Sequence, residues 1–153
     1  MSARNGHSSF FDLQWKDLLE AVTRFEVLDR FEKWDIDVYG SAQRVQALTP
    51  DERLQVDALL EGERQLIAIK VRFELGPNDV RSMLADMTRF QTFFPRFRNH
   101  QIYVGIAALD FIEAVEHYAM QRGLFVLSIA RDGSVRIKND SAFRPKDFAA
   151  PIH

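Results

Sequence analysis

Apolar residues recur at three- and four-residue steps through Phe11, Trp15, Leu18, Val22, Phe25 and Leu28. One stripe with that period predicts an amphipathic helix. Ser8 and Ser9 can cap its start near Phe10, and Leu19 and Phe31 widen the stripe, so it should run to about Lys33. The pattern then loosens. Ile36, Val38, Val45 and Leu48 predict an irregular strand, Thr49-Pro50-Asp51 a turn, and Leu54 to Leu60 a second strand. Beyond Glu61-Gly62-Glu63-Arg64 the period becomes two. Ile67, Ile69, Val71 and Phe73 alternate with Ala68, Lys70, Arg72 and Glu74, which predicts a strand with one apolar and one charged face. The two strands and their glycine turn read as an antiparallel hairpin.

Gly76-Pro77-Asn78-Asp79 opens a second helix with the stripe Val80, Met83, Leu84, Met87, Phe90 and Phe94, and Pro95 stops it. Ile102 to Ala108 is a short apolar strand. Asp110 is expected to cap a third helix carrying Phe111, Ile112, Val115 and Tyr118, with Gly123 at its left-handed end. Leu124 to Ala130 is another strand, and strand–helix–strand with short joints implies a parallel right-handed crossover. Arg131-Asp132-Gly133-Ser134 turns into Val135-Arg136-Ile137. The expected class is α/β, a mixed central sheet flanked by helices in the order α-β-β-β-α-β-α-β. Residues 10–140 would form the domain, with an N-terminal tail at 1–9 and an extended C-terminal tail at 141–153.

Composition narrows this only slightly. The chain has 153 residues, enough for one core. Hydrophobic residues make up 46% and the net charge is -2, so the overall charge offers no support for a nucleic-acid or membrane-surface partner. There is no cysteine, which excludes disulfides, Cys-ligated metals and thiol nucleophiles. With no targeting or membrane-spanning pattern, a cytoplasmic location and no membrane partner are expected.

Candidate chemistry centres on the hairpin. Asp57 sits in an apolar run, where an unpaired carboxylate would be costly to bury. The next strand offers Lys70, Arg72 and Glu74, so antiparallel pairing should gather Asp57, Lys70 and Arg72 on one side of the sheet. These segments carry a resemblance. Gln55-Val56-Asp57-Ala58-Leu59-Leu60-Glu61-Gly62 and Leu66-Ile67-Ala68-Ile69-Lys70-Val71-Arg72 resemble the aspartate and following strand of the PD-(D/E)XK, restriction-endonuclease-like nuclease superfamily. The similarity is to a bacterial branch rich in cyanobacterial members. Asp79-Val80, Phe90 to Pro95, Ile102 to Ala107, Ala119 to Val126 and Phe143 to Phe148 fit that branch too.

The resemblance implies a glutamate at Lys70 and a lysine at Arg72. In an active member the aspartate and glutamate hold Mg²⁺ and the lysine assists the attacking water. Here the acid position is a cation. At about 4 Å and an effective dielectric near 20, Lys⁺ against Mg²⁺ costs about 8 kcal/mol. A millimolar metal site is only about 4 kcal/mol deep. Asp57 is then more simply the counter-ion of Lys70 or Arg72. The resemblance therefore implies a catalytically degenerate member without a cofactor, acting as a binding or assembly module with DNA, a second copy or another protein as partner. The alternative is an active Mg²⁺-dependent DNA endonuclease with a migrated acid. Glu74 is the best candidate, about 13 Å along the strand from Lys70, and Glu20 and Glu26 are others.

Weaker signals remain. Arg81, Arg89, Arg96 and Arg98 could track phosphates, and Arg131, Arg136, Lys138, Arg144 and Lys146 form a second basic group. Glu113 and His117 are four apart, too few for a metal and better read as an ion pair. Thirteen phenylalanines mostly follow the core stripes.

Overall fold

The computed structural model describes residues 13–149. The expected Ser8/Ser9 cap and the 1–9 tail lie outside the described residues. The first helix is not continuous. It is α1 (Trp15–Val22), α2 (Phe25–Asp29) and a 3₁₀ turn over Arg30–Trp34. The break falls at Thr23 and Arg24. The Thr23 hydroxyl donates to the Leu19 carbonyl at 2.7 Å, and Arg24 turns extended at ψ 145°. A short hydroxyl side chain that bonds the preceding turn favours a helix end over an interior. Leu18, Leu19, Val22, Val27, Leu28 and Phe31 are nevertheless all buried, while Phe25 swings out and is exposed.

Among the described residues, six strands form one sheet in sequence order: β1 (Gly40–Leu48), β2 (Arg53–Glu61), β3 (Gln65–Leu75), β4 (Gln101–Phe111), β5 (Phe125–Ile129) and β6 (Val135–Ile137). The β1–β2, β2–β3 and β5–β6 pairs are antiparallel, whereas β3–β4 and β4–β5 are parallel. The parallel steps pass through α3 (Pro77–Met87) and α5 (Glu113–Gln121). Between them, α4 is one turn at Phe90–Phe93, followed by a 3₁₀ turn at Pro95–Phe97. Alternation along β4 divides the core. Tyr103 and Ala107 face a cluster with Leu18, Leu19 and Phe31, whereas Ile102, Val104, Ile106 and Ala108 face one with Val80, Met83 and Val115. The result is a mixed sheet with helices on both faces. Phe90, Phe94 and Phe97 pack together at ring separations of 4.9–6.4 Å, so these aromatics belong to the core.

A further local expectation fails. Asp110 does not cap a helix. It pairs with Glu74 inside β4, which runs on to Phe111 because the β3–β4 ladder continues to Leu75↔Phe111. The N-cap of α5 is Ile112, exposed and without a side-chain cap. Residues 141–149 form no helix or strand but lie against the domain. The Phe148 N–H donates to the Ile102 carbonyl at 2.7 Å, and Lys146 N–H to the Gly123 carbonyl at 3.1 Å. Gly123 is required twice there. Its φ is +83°, and an added Cβ would lie 2.4 Å from Lys146 Cβ. Among the described residues no helix is long and apolar enough to cross a membrane.

Candidate functional site

The β2–β3 ladder runs from Glu61↔Leu66 to Ala58↔Ile69 and then stops. Asp57 is the next residue on β2. In a continuing ladder, the N–H and C=O of Val71 would bond to β2 backbone. Instead the Val71 N–H donates to Asp57 Oδ2 at 2.9 Å. The Val71 carbonyl accepts from Trp15 Nε1 at 2.8 Å and from Arg72 Nη1 at 2.7 Å. Side chains thus satisfy both backbone groups of Val71 that the split frees. On the far side of β2, Arg44 is left-handed at φ 52°, between the pairs Gln43↔Ala58 and Val45↔Val56. Its guanidinium lies 5.0 Å from the Trp15 ring centroid.

Asp57 is 7% exposed. Its Oδ2 also takes Arg72 Nη1 at 2.8 Å, and its Oδ1 meets Gln55 Nε2 at 3.4 Å. Arg72 Nε is 4.0 Å from Asp79 Oδ1. Asp79 is itself held at the start of α3 by the Gly76 N–H, which donates to its Oδ2 at 2.9 Å. A cleft of about 160 Å³ opens here, lined by Arg53, Gln55, Asp57, Ile69, Lys70, Arg72, Met83 and Asp86. Of its two carboxylates, Asp57 is paired with Arg72 and Asp86 with Arg89 at 3.1 Å. The Lys70 ammonium, half-buried on the cleft wall, makes no hydrogen bond or ion pair with any described residue. The lining therefore keeps an uncompensated positive charge.

These residues do not fit Mg²⁺. A hard divalent cation needs several free oxygens, but both carboxylates of the cleft are already engaged, Asp57 by Val71, Arg72 and Gln55 and Asp86 by Arg89, beside a free ammonium. Among the described residues, no three His, Asp or Glu side chains converge as a metal site. Glu74 is exposed, sits opposite Asp110 in the β3–β4 ladder, and does not line the cleft. Glu20 and Glu26 are exposed on α1 and α2, also outside it.

The four arginines proposed for phosphates all stand outside the cleft. Arg89 is tied to Glu52 and Asp86, and Arg96 reaches Glu61 at 3.5 Å while covering the Phe97 ring. Arg81 bonds Asn78, and Arg98 is exposed. In the C-terminal basic group, Lys138 pairs with Glu116 at 2.6 Å. The expected Glu113–His117 ion pair does not form among the described residues.

The site also contains residues that the strand patterns did not single out. Arg53 and Gln55 lie four and two positions before Asp57, so the period of two could have placed them on its face. Trp15 and Asp79 gave no such signal. A tryptophan on an apolar stripe reads as core, and an aspartate after Gly-Pro reads as a cap.

No family model matches the chain, and no curated protein matches it. Among solved structures it is similar to "Crystal Structure of Protein of Unknown Function AF1548", at 13% identity and a TM-score of 0.42. That match covers 72% of this chain and 56% of the other, so the chain spans just over half of that protein's length.

Proposed function

We propose that the chain is a restriction-endonuclease-like protein whose metal position has become an internal ion pair, and that it binds DNA phosphates without cutting them. One observation carries this reading. Asp57, the residue that would have to hold the metal, spends Oδ2 on Arg72 and the Val71 N–H, while Lys70 beside it is free. Lys70 and Arg53 then offer ammonium and guanidinium donors to a phosphate entering the cleft. Asp57 holds Arg72 in place, so that cation is already oriented. Arg98 and Arg81 are exposed outside the cleft.

The test is retention of a short duplex at several salt concentrations, alongside a cleavage assay with Mg²⁺ and with Mn²⁺. The reading predicts no cleavage, retention that falls with salt at a log–log slope of several units, and a marked loss of retention in Lys70→Glu. Cleavage abolished by Asp57→Ala would overturn it, as would no retention even at low salt.

A further inference from the structure

A second cleft lies at the other end of the sheet, beside the edge strand β6. It measures about 340 Å³ and is lined by Arg30, Lys33, Trp34, Val135, Arg136 and Ile137. Its volume lies at the lower end of the range of roughly 300–1,000 Å³ typical of small-molecule sites. Three of its six residues are cations and none is an acid.

Those charges are not neutralised locally. Arg30, Lys33 and Arg136 form no ion pair with any described residue, although Asp29, Glu32 and Asp140 are close in sequence. Arg30 is instead fixed by donating from Nη1 to the Val135 carbonyl at the strand edge. The aromatic wall is fixed too. The Trp34 indole N–H donates to the Asp140 carbonyl at 3.0 Å, and its ring packs edge-on against Phe125 at 5.0 Å. Lys33 Nζ lies 5.3 Å from the Trp34 ring centroid. An exposed ammonium over the ring marks a face that a planar group can take over, releasing the ammonium to an anion.

A ligand suited to this cleft must carry a flat ring for Trp34 and an anion for the three cations. We infer that the cleft binds a nucleotide, with the base stacked on Trp34 and the phosphate held by Lys33, Arg136 and Arg30. Aromatic rings accept bases of any sequence, and guanidinium groups match phosphate oxygens in pairs. The base and phosphate can come from a free nucleotide or from an unpaired nucleic-acid strand. The inference is independent of the Asp57 cleft.

Proton–nitrogen NMR of the full chain tests it, because the two tryptophans give separate indole N–H signals. Trp34 donates to Asp140 and Trp15 donates to Val71. Titration with adenosine monophosphate should shift the Trp34 indole signal and leave that of Trp15 in place. Arg136→Glu, at an exposed position, should keep the dispersed spectrum of the fold and weaken the response about tenfold or more. A single-stranded deoxyadenosine hexamer that binds more tightly per molecule than the mononucleotide identifies a strand as the source, and equal or weaker binding identifies the free nucleotide. No Trp34 shift with either probe at millimolar concentration would overturn the inference. So would an equal response to adenosine, or an undiminished one in a folded Arg136→Glu variant.

Discussion

Strand β3 has two neighbours, and it meets them differently. Its seam with β4 is a parallel ladder that keeps one register from Gln65↔Gln101 to Leu75↔Phe111. Its seam with β2 closes after four pairs and then opens at Asp57. On the β4 side the backbone satisfies itself, so side chains are free to be small and apolar. Ala68, Val104, Ile106 and Ala108 all lie in one core cluster. On the β2 side three side chains from three elements replace the missing ladder bonds: Asp57, Arg72 and Trp15. A cleft with charged walls can exist in a sheet interior only where the ladder has given way. The split supplies the space, and its repair uses up the carboxylate.

The comparison predicts unequal sensitivity of the two seams. Asp57→Ala should have the largest effect. It strands the Val71 N–H and unpairs Arg72, which should lower unfolding free energy by about 2–4 kcal/mol in urea titration. Arg72 is 38% exposed and can turn to water, so the loss should fall short of a fully buried pair. Trp15→Phe removes one of two donors to the Val71 carbonyl while keeping an aromatic ring, and should lower unfolding free energy by about 1 kcal/mol. On the regular side, Gly105→Ala should change unfolding free energy by less than about 1 kcal/mol. An added Cβ there meets Leu127, Ile69 and Phe125 at 3.4–3.5 Å, ordinary contact distances. A larger loss for Gly105→Ala than for Asp57→Ala would reverse the ranking of the seams.

The smallest effect expected is a pH dependence on the β4 side. Burial foremost, then the nearby Asp147 carboxylate, raises the Tyr103 phenol above its ordinary 10.0, against a lowering by its hydrogen bond with Gln65. The neutral phenol is favoured in the folded state. Its contribution is therefore complete below pH 10.0 and is lost as pH rises through the raised folded value. Tyr103→Phe should flatten that alkaline limb, as read from thermal unfolding at several pH values.

Regular parts of this division were legible in the chain. The period of two over β3, the Glu61-Gly62-Glu63-Arg64 turn and the strand–helix–strand order around Gly123 predicted the hairpin and a parallel crossover. The failures have different causes. The β3–β4 ladder overrode the Asp110 cap, whereas the first helix breaks where the Thr23 hydroxyl bonds its own preceding turn. At the cleft, the need of Asp57 for a counter-ion was legible because a buried carboxylate needs one, but the choice of Arg72 over Lys70 was not. The split itself was not. It depends on which backbone groups go unpaired, and Trp15 reaches Val71 across 56 positions of sequence.

The central claim is that Asp57 is committed to Arg72 and Val71 and is closed to metal. Calorimetric titration of Mg²⁺ and Mn²⁺ into the native chain, Asp57→Asn and Lys70→Glu/Arg72→Lys tests it most directly. The account predicts no binding heat in the first two and measurable binding in the double variant, where a second carboxylate replaces the ammonium and the guanidinium fork is gone. Binding by the native chain that disappears in Asp57→Asn would contradict it.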